Sequence, residues 1–292
     1  MPPVNVHALL KRHHLDPRKG LGQNFLVDQT VLNRIVQQSG VTGEDCVLEI
    51  GAGLGSLTRL LAETAAEVKA VEIDGRLIPA LREVVGGYLN VEIIQGDILA
   101  MDAGKLAGRA GYGVVANIPY YITSAIIRHL LENPIKPGWM VLTMQREVAE
   151  RICAQPGDLS LLALSVQVYG TPVILGVIPA QAFYPVPGVD SATLRIDLHP
   201  QSIFTDEQRG RFFTLIRMAF AQKRKMLRNN LAAGLHLSTE QVSRYLLAAG
   251  IDPERRAQTL NLVEWKTLVN ELGELIPAEG STGVKNVEQR AV

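Results

Sequence analysis

The tetrapeptide Asn117-Ile118-Pro119-Tyr120 joins an amide acceptor, a fixed bend and an aromatic face directly after the apolar run Val114-Val115-Ala116. This combination suits methyl transfer to the exocyclic nitrogen of a planar base. Such a nitrogen is a weak nucleophile because its lone pair is delocalised into the ring. Two acceptors holding its N–H groups, the Asn117 side-chain oxygen and the Ile118 carbonyl, would free the lone pair for in-line attack. Pro119 sets the bend, and Tyr120 offers a face on which an extruded base can stack for ~1–3 kcal/mol. The plainer alternative is an ordinary proline turn with a surface tyrosine.

Upstream, Glu49-Ile50-Gly51-Ala52-Gly53-Leu54-Gly55 ends one apolar run and opens a helical pattern in which Leu54, Leu57, Leu60 and Leu61 share a face. Glycines there let the backbone pass close under a ligand, and the helix start adds partial positive charge. The spacing G-x-G-x-G is not the dinucleotide fingerprint, and alone it fits a tight turn equally well. Glu72 follows Gly51 by 21 residues, the distance at which a carboxylate reaches ribose hydroxyls, with Asp74 close behind. Asp97 and Asn117 end two further apolar runs. In an open parallel sheet these ends converge on one crevice. A bound adenosine explains the set, although each residue alone could be a solvated group or a cap.

The elements that must position these groups are read from residues 45–198, where short apolar runs alternate with helical patterns. This predicts an α/β fold, a doubly wound and mainly parallel sheet. After Gln145 the stretches 159–178 and 192–199 both read as strands, an antiparallel pair at one sheet edge. From Thr205 to Ile276 the chain reads as helices only, a separate small domain. One long pattern covers residues 206–231 and a second helix is capped at Ser238-Thr239-Glu240. Helical spacing across the first of these puts Arg217, Arg224 and Arg228 on one stripe, with Lys223 and Lys225 nearby, beside apolar Phe212, Ile216, Phe220 and Leu227. Such a stripe is either a solvated face or an RNA backbone contact, which Arg18 and Lys19 would extend.

Composition narrows the classes further. The 292 residues are 47% hydrophobic and 20% charged, which excludes general disorder and a disulfide-stapled miniprotein. Lys plus Arg equals Asp plus Glu at 29 each, so any polyanion site must be a local patch. Cys46 and Cys153 have no metal-binding spacing, so no metal is expected, and they read as thiols in a reducing compartment. Neither a signal peptide nor a membrane span is evident, which predicts a cytoplasmic address without a membrane partner.

In order and spacing the motifs resemble the ribosomal RNA adenine dimethyltransferase family, and Asn117–Tyr120 is similar to motif IV of adenine N6 methyltransferases. The resemblance runs through 22–26 (GQNFL), 49–55, 71–74, 96–97, 117–120, 145–148 (QREV), 183–192 (FYPVPGVDSA) and 224–231 (RKMLRNNL), covering roughly residues 18–265. It implies a Rossmann-like methyltransferase domain at 18–200 behind an N-terminal extension at 1–17 and a small all-helical RNA-contacting domain at 201–277; residues 278–292, which lack apolar periodicity, read as a disordered tail. It implies S-adenosylmethionine as the methyl donor, contacted by Asn24, Leu26, Gly51, Gly53, Glu72 on the ribose, Asp97 at the adenine, and Asn117 where donor and acceptor meet. Phe183 matches the family's second aromatic near the target base, though an aromatic beside a proline-rich turn otherwise reads as core. RNA contact falls to Arg217, Lys223, Arg224, Lys225 and Arg228. The chain departs from the family at Leu159-Ser160-Leu161-Leu162, where a Lys and an aromatic are usual.

The implied reaction is dimethylation of N6 on two adjacent adenines near the 3′ end of 16S-type rRNA, by a monomer acting on small-subunit rRNA or its precursor particle. Alternatives are a large-subunit rRNA dimethyltransferase of the antibiotic-resistance type, whose members are generally more basic, and a non-enzymatic RNA-binding assembly factor. Nicotinamide dehydrogenases share the glycine loop and ribose carboxylate but leave Asn117–Tyr120 unexplained.

Overall fold

The computed structural model describes residues 3–276; the tail expected at 278–292 lies outside them. The chain forms two compact units. The first comprises the described residues up to Glu150 together with Gly170–Pro200, and the second comprises Arg151–Tyr169 and the described residues from Gln201.

In the first unit the strands are β1 (Phe25–Leu26), β2 (Cys46–Ile50), β3 (Glu67–Glu72), β4 (Val91–Gln95), β5 (Gly113–Asn117), β6 (Trp139–Gln145), β7 (Gly170–Ile178), β8 (Phe183–Tyr184) and β9 (Ser191–Leu198). Seven of them form one sheet in the order β4-β3-β2-β5-β6-β9-β7. Pairing is parallel from β4 to β6, and β9 runs antiparallel to both β6 and β7. This is the expected α/β architecture with its antiparallel edge. All five residues of β2 are buried, as a parallel strand covered on both faces requires. The helices are α1 (Val6–Arg12), α2 (Gln29–Ser39), α3 (Ser56–Ala62), α4 (Ile78–Val85), α5 (Ala103–Ala107), α6 (Thr123–Glu132) and α7 (Arg146–Ile152). The division between units falls within α7.

Leu57, Leu60 and Leu61 of α3 share a core with Val47, Val68, Val115 and Val141 of the sheet. Leu54 instead joins Val6, Leu9, Leu10, Leu15, Leu77 and Ala80 in a separate cluster. Residues 1–17, read as an extension, are therefore integral to the first unit as far as they are described. The apolar side chains of α1 fall at i, i+3 and i+4, the spacing that buries one helix face, and that face packs behind the glycine loop.

The second unit contains α8 (Leu161–Gln167), α9 (Asp206–Ala219), α10 (Leu227–Leu235), α11 (Thr239–Ala248) and α12 (Leu262–Leu272). They surround a core that includes Phe212, Leu215, Leu231, Leu246, Trp265 and Leu268. Reciprocal capping boxes open α9 (Thr205 with Gln208), α11 (Ser238 with Gln241) and α12 (Asn261 with Glu264).

Two expectations are corrected here. Residues 161–167 are helical, not strand, because the Ser160 side chain accepts from Ala163 N and starts a turn that buries Ala163, Leu164 and Val166. This segment belongs to the second unit. The long pattern at 206–231 is two helices. The chain leaves α9 at Phe220, and the Asn230 amide donates to the carbonyls of Ala219 (2.6 Å) and Gln222 (3.1 Å), holding a turn in place of a continued helix.

Candidate active site

Register brings the chemistry together. Ile50 pairs with Val71 on one side and with Ala116 on the other. The next residues along each strand, Gly51, Glu72 and Asn117, thus stand abreast at the ends of three adjacent strands. The chain turns from β2 toward β3 and β4 on one side and toward β5 and β6 on the other, so this is the sheet's topological switch point. A cleft opens there, lined by Gly51, Gly53, Glu72, Asn117, Ile118, Pro119 and Tyr120, and by residues 21–25 of the N-terminal segment. A second hollow between α2 and α3, bordered by Val36, Leu60 and Glu63, contains none of these strand-end groups.

Glu72 is only 4% exposed, yet both its oxygens are hydrogen bonded. Oε2 accepts from Gly53 N at 2.8 Å and Oε1 from Asp74 N at 2.8 Å. Burial pushes its carboxyl up, while these backbone amides favour the charged form. Gly53 can face Glu72 because its φ is +59°, and a Cβ there would stand 3.3 Å from the Phe25 ring. Asp74 does a different job. Arg76 holds its carboxyl down at about 2, and Gln23 Nε2 donates to it at 3.0 Å. The Gln23 side chain also accepts from Arg18 N at 2.7 Å, so the segment before β1 is tied to the end of β3.

The Asn117 amide nitrogen donates to the Asn24 carbonyl at 3.0 Å. A carbonyl can only accept, so this contact directs Nδ2 toward Asn24 and leaves Oδ1 as the free acceptor in the cleft. Beside it, Ile118 N donates to Thr143 O at 3.0 Å, and the Tyr120 hydroxyl meets Ser191 Oγ at 2.7 Å, which fixes the ring. Burial raises the Tyr120 hydroxyl above its usual range, so it stays neutral. The cleft is thus lined by the free Asn117 oxygen, by Ile118, by a clamped aromatic and, two strands over at the end of β3, by the buried Glu72 carboxylate.

The model of the ribosomal RNA adenine dimethylase family matches residues 15–273. The chain belongs to that family. A relative named ribosomal RNA small subunit methyltransferase A, from Dehalococcoides mccartyi, is 46% identical over 266 residues, 91% of each chain. Another of that name, from Pelotomaculum thermopropionicum, is 43% identical and covers 92% of this chain and 95% of its own length. Among solved structures, a dimethyladenosine transferase from Plasmodium falciparum aligns with TM-score 0.76 at 25% identity, covering 86% of this chain and 98% of its own. The 23S rRNA methyltransferase ErmE aligns with TM-score 0.70 at 28% identity, covering 85% and 99%.

Other site residues of this adenine dimethylase family member fall outside the cleft. Leu26 is buried, and its backbone pairs with Phe183 in the short β1–β8 ladder. Phe183 is itself 2% exposed and sits in the core cluster with Leu26 and Ile178. Its ring presents no free face, whereas Tyr120 lines the cleft. Asp97 is exposed one strand further out, its Oδ1 capping Leu99 N at 2.9 Å. Arg217 lies at the end of α9, Arg228 in α10 at 4.0 Å from Glu254, and Lys223, Arg224 and Lys225 in the exposed turn between those helices. The single helical stripe is therefore replaced by a basic loop. Ile73 lines the cleft with 49% of its surface exposed; an apolar residue directly after the strand-end carboxylate Glu72 is the signal that could have found it.

Glu49, behind the glycine loop, is 1% exposed, and its Oε2 has no partner among the described residues. Burial pushes its carboxyl up to about 8, and the charge of Glu72 adds to the effect. The folded state then keeps a proton that the unfolded chain sheds in the usual carboxylate range. Stability must fall as pH rises from that range toward about 8. Glu49→Gln removes this dependence, and its melting temperature is expected to match the wild type near pH 5 and exceed it by roughly 5 °C at pH 8.5. Thermal unfolding across pH checks this; parallel curves for the two proteins would count against it.

Proposed function

We propose that this chain is an S-adenosylmethionine-dependent dimethyltransferase of adenine N6 in small-subunit rRNA, acting on two adjacent adenines near the 3′ end. The observation that carries the reading is the Asn117–Asn24 hydrogen bond, which leaves an acceptor oxygen at the end of β5 in the cleft that Glu72 also lines from the end of β3. Bound S-adenosylmethionine would supply an electrophilic methyl group. The residues fit it. Glu72 would take the ribose hydroxyls on the lone pairs its two amides leave over, Ile73 would pack against the adenine ring, and Asp97 Oδ2 would accept from its amino group. Gly51 and Gly53 keep the cleft floor free of side chains.

On the acceptor side, Tyr120 would stack the extruded adenine, while Asn117 Oδ1 and the Ile118 carbonyl hold its amino hydrogens and turn the nitrogen lone pair toward the methyl group. Each transfer replaces one N–H by N–CH3 and releases one proton. The monomethylated nitrogen still has one hydrogen for one acceptor, so the same cleft serves the second transfer. No metal is required for this chemistry. We assign the small subunit as the substrate because relatives 43–46% identical over nine-tenths of the chain bear that name. Mass mapping of N6-dimethyladenine in both rRNAs, from cells with and without the protein, tests it. Loss of the mark from large-subunit rRNA alone would favour the ErmE-like reading, and no change in either would favour an assembly factor without methylation.

Lys223, Arg224 and Lys225 would meet RNA phosphates. Arg224→Ala with Lys225→Ala is expected to weaken RNA binding and to reduce the slope of log affinity against log salt by about 0.7–0.9 per lost contact. Cofactor affinity should be unchanged. A salt titration with wild-type slope would make the loop a solvated surface.

A further inference from the structure

One aromatic at the cleft has no part in the chemistry above. Tyr121 follows the stacking residue Tyr120 and is 53% exposed. Its hydroxyl makes no hydrogen bond among the described residues. The ring is nonetheless positioned: a Cβ on Gly22 would come within 3.2 Å of Tyr121 Cδ1 and Cε1 and 3.3 Å of Pro119 Cβ. Gly22, with φ +59°, ends the turn Lys19–Leu21, and its lack of a side chain is what lets the ring lie down at the rim. Gly22 and Pro119 both line the cleft, so the Tyr121 ring meets the wall at Cδ1 and Cε1 while about half of the residue stays open to solvent. Apolar rings left half exposed beside a reactive centre cost hydration, and a flat partner relieves that cost. In the same turn, Lys19 is exposed and makes no ion pair among the described residues, which leaves a cation three residues before the glycine on which the ring lies, where it could meet a nucleotide's phosphate.

We propose that Tyr121 is the platform for the base neighbouring the extruded adenine, so that adjacent nucleotides occupy Tyr120 and Tyr121 in turn. This rests on the adenine dimethyltransferase reading and extends it to a second base subsite. An RNA whose target has just been drawn from its stack loses one neighbour for the flanking base. A ring at the rim replaces that neighbour without reading its identity. Because the two targets are adjacent, the base waiting on Tyr121 is the other adenine.

Tyr121 would be a positioning residue, and the test must separate stacking from wall packing. Small-subunit particles lacking the dimethyl mark are assayed with wild-type protein and with Tyr121→Phe, Tyr121→Leu and Tyr121→Ala, after thermal unfolding confirms that each variant folds. Stacking predicts that Phe retains the wild-type KM for particles, whereas Leu and Ala raise it roughly tenfold, with single-turnover rate at saturation and S-adenosylmethionine affinity unchanged. Particles reconstituted with an abasic site beside the target complete a double-mutant cycle. On these, wild type and Tyr121→Ala should have equal KM. A difference that persists on abasic particles, a Leu variant that behaves like Phe, or a loss of cofactor affinity would overturn the proposal in favour of a purely structural ring. If the wild-type protein methylates no adenine at all, the functional reading itself fails, which is a separate outcome.

Discussion

Asn117→Ala is expected to abolish methyl transfer while leaving the fold, cofactor affinity and RNA affinity close to wild type. The side chain sits at the end of β5 and makes one hydrogen bond among the described residues, from Nδ2 to Asn24 O, so little structural energy goes with it. In the proposed reaction its oxygen would act on the amino group during displacement. Removing one preorganised hydrogen-bond partner of a transition state commonly costs about 10²- to 10³-fold in rate, and the loss should appear in the single-turnover step. Asn117→Asp should fail too. A carboxylate oxygen would then face the Asn24 carbonyl, acceptor against acceptor, and the side chain would be driven out of position. Counting dimethyladenine by mass spectrometry on particles lacking the mark, beside calorimetry with S-adenosylmethionine, measures both halves. Dimethylation at the wild-type rate by Asn117→Ala would remove the tetrapeptide from the chemistry and strengthen the assembly-factor alternative.

The groups on which that expectation depends were legible because strand ends announce themselves. An apolar run closed by Gly51, Glu72 or Asn117 has a fixed exit point, and parallel pairing then sets those exits side by side. What the sequence pattern hid were contacts made by very short or aperiodic pieces. β1 and β8 are two residues each, and no periodicity can reveal the pairing of Leu26 with Phe183, which buries both. That pairing explains why two residues matched by family resemblance to cofactor and base contacts lie in the core. The Gln23–Asp74 bond spans 51 positions and depends on a side-chain amide, not on hydrophobicity.

The second unit shows the opposite error, a pattern read too continuously. The apolar spacing from Phe212 to Leu227 suits one helix, but the basic run 223–225 would crowd three like charges into a single helical turn. Asn230 meanwhile offers the carbonyls at the end of α9 a partner outside the helix. In 159–168, the leucine-rich run lacks strict alternation, and the cap at Ser160 was the local sign that a short helix begins there. Both misreadings come from weighting hydrophobic spacing above side chain to backbone hydrogen bonds, which decide where short elements start and stop.

Glu72 is the other residue whose loss should be severe, and its isosteric replacement is the more telling variant. Glu72→Ala would remove the charged acceptor proposed for the ribose, at a cost of about 1.5–3 kcal/mol, and frees the amides of Gly53 and Asp74 at the same time. Glu72→Gln keeps volume and shape. Its side chain nevertheless has one acceptor where the carboxylate has two, so Nε2 would face one backbone N–H with another donor. In a position 4% exposed, that mismatch leaves a buried amide unpaired, which itself costs about 1–3 kcal/mol. The glutamine variant is therefore expected to lose cofactor affinity by roughly 10- to 100-fold and to melt at lower temperature, while RNA affinity stays near wild type. Titration calorimetry with S-adenosylmethionine, with NAD as the competing dinucleotide, reads the first effect, and thermal unfolding reads the second. Wild-type affinity in Glu72→Gln would mean that the carboxylate serves only the glycine loop. Tight NAD binding without S-adenosylmethionine binding in the wild-type protein would show that the cleft at the switch point takes a different nucleotide altogether.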